Sequence, residues 1–370
     1  MWSNLPFDVL ANIFSFLSPD SFACAKTACH HWYNCANAYP SSPNPSLHHH
    51  PPWFVALPTH GPAEKCCYVH NPATDKWHRL STAFLLEPIR PVGPIGSLVL
   101  SRTTNSNPLQ LVLFNPFTRQ FKYLPRLNLA RTNPAVGVIV LGTKPHSPFH
   151  RFRVYVAGGL SEAPPGCATY ESAIEMYDSD SDTWQIMGDM PVQFAVRLTV
   201  WTPNESVYCN GVVYWMTSAR VYSLMGFEIG PNKWQELSLP MAERLEFATL
   251  VPRNGKLTLV GGVSGGDACV WELDERKIWC LVEKVPTELG LKLFGGKASW
   301  GSTKCVSGGG AICLYRDLGS GMVVWREDGG RRGWKWFWVE GCGSFGGKQM
   351  HRLSIRGVLI HPCIAPSCIP

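Results

Sequence analysis

Charged side chains are scarce in this sequence: Asp, Glu, Lys and Arg form 16% of its 370 residues, against about a quarter in typical soluble domains. No run of about 18 apolar residues occurs, so the sequence predicts no transmembrane helix. The N-terminus lacks the basic, apolar and small-residue segments of a secretory signal peptide. We therefore expect an intracellular protein, cytoplasmic or nuclear or both, that does not bind membranes.

Motifs for nucleotide binding, metal binding and catalysis are also missing. The sequence contains no P-loop, no H-E-x-x-H and no nucleophile elbow. Residues 341–346 spell G-x-G-x-x-G, but they precede a strand-like segment and no βαβ unit surrounds them, which argues against a dinucleotide site. Three adjacent histidines, His48 to His50, lie in a Pro-rich stretch without the spacing of a zinc site. We expect no cofactor and no metal.

The net charge and the cysteines exclude two further classes of protein. The formal charge of +6 comes from 33 basic and 27 acidic residues scattered along the chain, so it does not form the basic stripe of a nucleic-acid binder. The 14 cysteines include no C-x-x-C pair, whereas a disulfide scaffold concentrates its cysteines in a short secreted chain. We interpret them as reduced thiols, mostly in the core.

Turn-forming and aromatic residues, in contrast, are abundant. The sequence has 34 Gly, 30 Pro and 15 Trp, a composition typical of many short buried strands joined by tight loops. Long helices are therefore not expected to dominate the fold.

Residues 1–38 form the one segment with a helical pattern. Pro6 suits the start of a helix, and Val9, Leu10, Ile13 and Leu17 recur at the spacing of one helix face. Ser18-Pro19-Asp20 predicts the start of a second helix, and a third would carry Cys29, Trp32 and Ala36. Three helices this short cannot bury all their apolar surface, so this module needs a partner or a packed neighbour. Residues 39–52 are rich in Pro and predict a semi-extended linker.

The same segment resembles an F-box. The letters L-P-x-D-V-L-x-x-I-F-x-x-L-S-x-x-S-F, followed by A-C-x-x-W at residues 28–32, match that family with the expected spacing. The resemblance implies docking to the Skp-type adaptor of a cullin ubiquitin ligase. The implied contact residues are Leu5, Pro6, Val9, Leu10 and Ile13, although each could instead belong to the module's own core.

From residue 53 onward the sequence repeats a unit of about 50 residues. Each unit has a polar turn followed by an aromatic residue and then a Leu or Met, which predicts a hairpin between a third and a fourth strand. The aromatic anchors are Trp77, Phe121, Trp184, Trp234, Trp279 and Trp334. Six anchors predict a mainly β fold, a six-bladed β-propeller over residues 53–370. The strand-like residues 353–360 have no hairpin of their own, so we expect them to complete blade 1 and close the ring.

Paired glycines precede two of these hairpins, at Gly158-Gly159 and Gly261-Gly262. With the Tyr-Asp and Trp elements they resemble kelch repeats. Blades 1, 2 and 4 lack the paired glycines and are recognised mainly by the hairpin. The predicted architecture is therefore an F-box module followed by a kelch-type propeller, as in plant-type F-box/kelch proteins.

This resemblance implies a non-catalytic substrate receptor of an SCF-type (Skp–cullin–F-box) ubiquitin ligase. The F-box would bind the adaptor, and through it a cullin, while the propeller presents an unidentified target protein. Two alternatives stay open: an F-box scaffold or small-ligand sensor without degradative output, and a metal-dependent oxidase of the kelch-like kind. The dispersed histidines argue against the oxidase.

Basic residues recur where the chain returns from one predicted blade to the next. They lie 10 to 16 residues after an aromatic residue of each repeat, and we expect them to ring one mouth of the central channel. The predicted target-binding residues are Arg90, Arg131, Arg197, Arg244, Lys292 and Arg352. Such a ring would bind carboxylate or phosphate groups, including those of an acidic or phosphorylated target segment. The alternative is that each side chain is tied to its own blade or solvated.

Overall fold

The computed structural model describes most of the chain, with gaps. The described residues are 5–17, 19–38, 51–59, 65–143, 150–163, 167–200, 206–218, 221–295, 299–327, 333–345, 347–350 and 353–363. No helix in these ranges is both long and apolar enough to cross a membrane.

Three short helices form the N-terminal module, as predicted. They are α1 (Phe7–Ser15), α2 (Pro19–Ala28) and α3 (His30–Ala38). Their apolar faces meet in one small core made of Leu10, Phe14, Phe22, Ala25, Cys35 and Ala36. The ring of Phe14 packs edge-on against Trp32, and His31 Nε2 lies 2.7 Å from the carbonyl oxygen of Leu5, which ties the start of α1 to α3. Cys29 lies between α2 and α3 instead of within a helix.

The remaining strands form six antiparallel four-stranded sheets, which confirms the predicted six-bladed propeller. Blades 1 and 2 contain β1 (Trp53–Pro58), β2 (Cys66–Asn71), β3 (Lys76–Ser81), β4 (Ile89–Ile95), β5 (Leu98–Thr103), β6 (Leu111–Phe114) and β7 (Phe121–Tyr123). Blade 3 contains β8 (Ala135–Thr143), β9 (His150–Ala157), the inserted hairpin β10 (Leu160–Ala163) and β11 (Cys167–Tyr170), then β12 (Ala173–Asp178) and β13 (Thr183–Asp189).

Two helices interrupt the second half of the ring. The next elements are α4 (Val192–Val200), then β14 (Val207–Cys209), β15 (Val212–Ser218), β16 (Tyr222–Glu228) and β17 (Lys233–Ser238) of blade 4. Blade 5 and the helix after it are β18 (Leu245–Arg253), β19 (Lys256–Val263), β20 (Ala268–Leu273), β21 (Trp279–Lys284) and α5 (Thr287–Phe294). The last elements are β22 (Lys304–Gly308), β23 (Ala311–Tyr315), β24 (Met322–Glu327) and β25 (Trp334–Val339) of blade 6, the short hairpin β26 (Ser344–Phe345) and β27 (Lys348–Gln349), and β28 (Ile355–Ile360).

The final strand, β28, provides the inner strand of blade 1. It pairs antiparallel with β1 along its whole length, from Trp53 opposite Ile360 to Pro58 opposite Ile355. At Gly357 the ring of Phe54 lies where a β-carbon would sit, and the backbone N–H of Gly357 donates a 2.7 Å hydrogen bond to the hydroxyl of Tyr315 in blade 6. The two ends of the propeller sequence therefore share one sheet, so no inner edge is left unpaired there.

The six inner strands are β28, β4, β8, β14, β18 and β22, which contact one another around the central axis. Because strands alternate in direction, the links between blades and the links between second and third strands share one face of the ring. We call it the connection face. The other links join first to second and third to fourth strands, and we call their side the hairpin face. The links on this side that are described throughout are short turns.

Each aromatic anchor begins the outer strand of its blade, as the repeat predicts. Trp77, Trp184 and Trp234 are second in their strands, while Phe121, Trp279 and Trp334 are first. The residue two positions before the anchor has a positive φ in five blades, at Asp75, Arg119, Asp182, Asn232 and Lys277. The same hairpin geometry therefore recurs in five blades.

Three of the Trp anchors also join neighbouring blades by a hydrogen bond. The indole Nε1 of Trp77 donates to the carbonyl oxygen of Glu340 at 3.0 Å, and that of Trp184 donates to Pro125 at 2.8 Å. Trp279 makes the same contact with Ser238 at 3.0 Å. Each acceptor lies at or just after the end of the preceding blade's outer strand, so the anchor holds adjacent blades together at the rim.

Candidate functional site

The helical module exposes an apolar stripe along α1. Val9, Ile13 and Phe16 are 41%, 38% and 65% exposed, at the i, i+4, i+7 spacing that places side chains on one helix face. Pro6, just before the helix, is exposed as well. Exposed apolar residues grouped in this way are typical of an interaction surface.

The five residues predicted for adaptor binding do not share one environment. Pro6, Val9 and Ile13 are exposed, and Leu5 is partly buried. Leu10 is completely buried in the module's core. It therefore stabilises the module and offers no surface for contact with an adaptor. Phe16 was not predicted, although its position three residues after Ile13 was the available signal.

The predicted basic residues lie, where described, on the connection face. Arg90 is the second residue of β4, Arg131 and Arg244 precede β8 and β18, and Arg197 and Lys292 lie in α4 and α5. Arg352 falls outside the described residues. The structure therefore brings five of them to one side of the ring, but it places their charged groups in different surroundings.

Arg131 is buried inside blade 3. Its side chain and that of Glu175 are both 0% exposed, and Arg131 Nη2 lies 2.6 Å from Glu175 Oε1. The remaining guanidinium N–H groups donate to the backbone carbonyl oxygens of Leu129, Gly158 and Ala173. Every donor atom of this guanidinium is thus used within the protein, so Arg131 holds the blade together and cannot contact a target, contrary to the predicted ring.

Arg197 and Lys292 are paired with carboxylates on the connection-face side of the ring. Arg197 Nη1 donates to Glu236 Oε1 at 2.8 Å, and its Nη2 donates to the hydroxyl of Ser223. Lys292 Nζ lies 2.9 Å from Glu340 Oε1 and 4.2 Å from the centre of the Trp338 ring. The hydrogen bond from Lys292 lowers the pKa of the Glu340 carboxyl. Arg244 is exposed, which leaves it available to a target.

Arg90 lies at the channel mouth together with two basic residues that the sequence interpretation missed. A cavity of about 330 Å³ there is lined by Arg90, Lys304 and Arg356. Burial lowers the pKa of Lys304, the charge of Arg356 lowers it further, and the charge of Asp317 opposes both effects. Lys304 is the first residue of the inner strand β22, and Arg356 is the second residue of the inner strand β28. Lys292, and not Lys304, lies at the predicted distance from the aromatic anchor of its blade, because α5 is inserted between blades 5 and 6.

The central channel continues from this mouth between the inner strands. Its cavity of about 400 Å³ is lined mostly by apolar residues and shares Pro91, Lys304 and Arg356 with the mouth cavity. Apolar lining residues come from different blades, among them Val92, Val138, Leu250, Val306 and Leu359. The channel is thus lined mostly by apolar residues and has basic side chains at one end.

Exposed apolar side chains lie in the links between blades, on the connection face. Leu86, Val192, Met241 and Leu291 are exposed, and each belongs to a different link. In the described hairpin turns of the opposite face, Ile278 is the one large apolar residue that is exposed. The connection face therefore has the mixed apolar and basic surface suited to binding a protein.

Two features that sequence motifs can suggest, a metal site and the G-x-G-x-x-G segment, can be compared with the described part of the chain. No group of three or more His, Cys, Asp or Glu residues is placed to hold a metal ion among those residues. In the G-x-G-x-x-G segment, Ser344–Phe345 forms a strand and not a helix N-terminus. His48, His49 and His50 lie outside the described residues.

Comparisons with known proteins agree with this architecture. Residues 2–39 match the F-box-like family model, and residues 94–262, from blade 2 to blade 5, match the F-box associated beta propeller domain. The chain is 25% identical to F-box only protein 6 of Arabidopsis thaliana, over 80% of this chain and 61% of that protein. It therefore spans less than two thirds of that relative.

Two other relatives from Arabidopsis thaliana are covered more fully. The protein UNUSUAL FLORAL ORGANS is 23% identical over 94% of this chain and 81% of its own length. An F-box/kelch-repeat protein is 23% identical over 91% and 84%. Together with the six sheets and the three-helix module, these matches show an F-box-like module followed by an F-box-associated β-propeller domain.

Proposed function

We propose that this protein is the substrate-recognition subunit of an SCF-type ubiquitin ligase. The N-terminal module binds a Skp-type adaptor and through it a cullin, and the connection face of the propeller binds a target protein for ubiquitin transfer. The protein itself is non-catalytic and acts in the cytoplasm, the nucleus or both. Its blades are of the kelch type, which the paired glycines and the name of one relative support.

The proposed binding of the adaptor rests on the exposed apolar stripe along α1. The module buries Leu10 and Phe14 in its own core, yet it leaves Val9, Ile13 and Phe16 in solvent. Removing apolar surface from water is favourable by roughly 25 cal/mol per Å², which offsets part of the entropy cost of association. A helical partner with a complementary groove would bury this stripe, and an F-box-like module has the Skp-type adaptor as its partner.

The proposed binding of a target protein rests on the connection face of the propeller. It combines exposed apolar residues in four links between blades with the basic residues Arg90, Arg197, Arg244 and Lys292. A target that offers apolar side chains beside acidic or phosphorylated groups would complement it. Adaptor and target would then occupy separate parts of the chain, as a substrate receptor requires.

Adaptor binding is tested with the full chain and a purified Skp-type adaptor. We expect the double substitution Val9→Glu with Ile13→Glu to reduce the affinity by at least about 30-fold, which corresponds to the ~2 kcal/mol of an interface hot spot. Both positions are exposed, so the module should keep its helicity and the protein its melting temperature. Affinity is measured by surface plasmon resonance or calorimetry.

The control is Tyr33→Glu, which introduces one negative charge, half of that in the double variant, at an exposed aromatic residue of α3. We expect this variant to bind the adaptor as the wild type does. An unchanged affinity in the Val9/Ile13 variant, or an equal loss in the Tyr33 variant, would refute docking through the α1 stripe.

A further inference from the structure

The central channel has the size and chemistry of a small-molecule site. Its volume of about 400 Å³ lies within the range of roughly 300–1,000 Å³ that ligand pockets occupy. Such pockets combine a mostly apolar lining with a few polar groups that orient the ligand. The channel has this composition, because the inner strands of the blades supply valine, leucine and proline side chains, a few hydroxyl groups such as that of Thr249 lie among them, and the charged groups gather at its mouth.

The charges at the mouth are of one sign. Arg90, Lys304 and Arg356 line the mouth cavity, while neither cavity has an Asp or Glu among its described lining residues. Asp317 is the carboxylate that acts on Lys304 from nearby, but its oxygens accept hydrogen bonds from the backbone N–H groups of Gly319 and Ser320 and from the Ser320 hydroxyl. That carboxylate is therefore committed to its own turn.

Lys304 and Arg356 differ in how far their hydrogen-bond donors are already used within the protein. Lys304 Nζ donates to the carbonyl oxygens of Ile355 at 2.8 Å and Arg316 at 3.4 Å and to Ser354 Oγ at 3.3 Å. Its three N–H donors therefore have partners within the protein, and Lys304 contributes its charge to the mouth. Arg356 is half-buried, and its guanidinium makes no hydrogen bond or ion pair with the described residues. Its five N–H donors can form a bidentate contact with a carboxylate, so Arg356 is the group best placed to hold an anion.

We propose that the channel binds a small amphipathic carboxylate. The carboxylate lies at the mouth in contact with Arg356 and beside the positive charge of Lys304, and the apolar body extends down the channel between Val92, Val306 and Leu359. The apolar length of the channel favours a free small molecule over an acidic side chain of a target, because Asp or Glu would reach the cations but leave the apolar walls unfilled. This site goes beyond the function proposed above, since it requires neither adaptor nor target.

Calorimetry on the full chain tests the site with decanoate as the probe. We expect decanoate to bind with one site per chain and a negative heat-capacity change, which marks the burial of apolar surface. Decanol lacks the charge and acetate lacks the apolar body, so both should bind at least about tenfold more weakly. Added salt should weaken the binding of decanoate.

Two substitutions locate the probe and one controls for net charge. Arg356→Gln should weaken decanoate binding at least about tenfold, and Val306→Phe, which narrows the channel, should also weaken it without changing the charge. Arg276→Gln removes one positive charge from an exposed hairpin turn on the opposite face and should leave the affinity unchanged. Melting temperatures show whether each variant is folded.

Several results would overturn the proposal. These are no heat of binding at about 1 mM decanoate, equal affinity for decanoate and decanol, and equal affinity of wild type and the folded Arg356→Gln variant. A capped glutamate amide that binds as tightly as decanoate would assign the mouth to acidic target side chains instead. None of these measurements involves the adaptor, so failure here leaves the proposed receptor function standing.

Discussion

The two faces of the propeller are built in different ways. On the hairpin face, five blades place a residue with positive φ two positions before the aromatic anchor, and the Asn210-Gly211 and Asn254-Gly255 turns have two such residues each. On the connection face, the links between blades range from a few residues to whole helices. The geometry of a hairpin is determined by the residues of its own turn. The links between blades can differ in length and secondary structure, because the ring constrains only the positions of their two ends.

This difference indicates where function can vary. The hairpin face repeats the same turn geometry in five blades, and its described turns expose little apolar surface. The connection face carries α4, α5, the exposed apolar residues and the basic residues of the channel mouth. Loops placed by a rigid scaffold are where proteins commonly put their binding residues, so the connection face is the side on which we expect specificity.

The largest expected effect comes from breaking the buried ion pair that supports the connection face. Glu175→Ala removes the carboxylate that accepts hydrogen bonds from Arg131 and from the backbone N–H groups of Asn128 and Leu129. The Arg131 guanidinium would stay buried without its counter-charge, which costs about 3–5 kcal/mol. Urea denaturation followed by fluorescence should show this loss in the free energy of unfolding.

The control for this variant is an exposed ion pair on the same face. Lys284 Nζ lies 3.4 Å from Asp267 Oδ2 with both side chains largely in solvent. Asp267→Ala should therefore cost no more than about 1 kcal/mol. If the Glu175 and Asp267 variants lost equal stability, the buried pair would not have the structural role assigned to it.

A smaller effect should distinguish two anchors of the repeat. Trp184 Nε1 donates to the carbonyl oxygen of Pro125 in the preceding blade, whereas Trp234 Nε1 is buried without a hydrogen bond and the ring packs against Trp215 and Phe227. Trp→Phe removes similar ring volume at both sites. The Trp184→Phe variant should lose about 0.5–1.5 kcal/mol more than Trp234→Phe.

Thermal and chemical denaturation of the two Trp variants provide the measurement. A larger loss for Trp234→Phe would mean that ring packing, and not the hydrogen bond between blades, dominates the anchor's contribution. Phe121 already occupies the anchor position of blade 2, which shows that the position accepts a ring without an N–H donor.

The smallest effect should come from a single turn of the hairpin face. Arg119 is exposed and has a φ of 61°, a conformation that costs most residues about 1–2 kcal/mol but is easier for Asn. Arg119→Asn should raise the free energy of unfolding by a few tenths to about 1 kcal/mol. A destabilised Arg119→Asn variant would show that the Arg side chain contributes more than the backbone conformation costs.

The sequence was sufficient for the elements that obey local rules. The three helices follow from apolar spacing and from prolines, and Pro19 is the first residue of α2 as expected. The aromatic anchors begin the outer strands because a tight turn and a rim aromatic are both encoded within about ten residues. These predictions succeeded because the interactions that determine them are close in sequence.

The environment of individual site residues depended on contacts that are distant in sequence. Leu10 and Val9 are adjacent and both fit an apolar helix face, yet α3 covers Leu10 and leaves Val9 exposed. Arg131 and Arg244 occupy equivalent places before an inner strand, but only Arg131 meets a buried glutamate, 44 residues further along the chain.

The sequence by itself thus determined the number of blades, the helical module and the turns, because each is specified by neighbouring residues. The tertiary structure decided which basic residues meet at the channel. Lys304, Arg356 and Arg90 are the first or second residues of inner strands in three different blades. Lys292 lies in α5 instead, next to Glu340 and Trp338. Residues more than 200 positions apart become neighbours only when the ring closes, and no periodicity in the chain encodes which of them will face the axis.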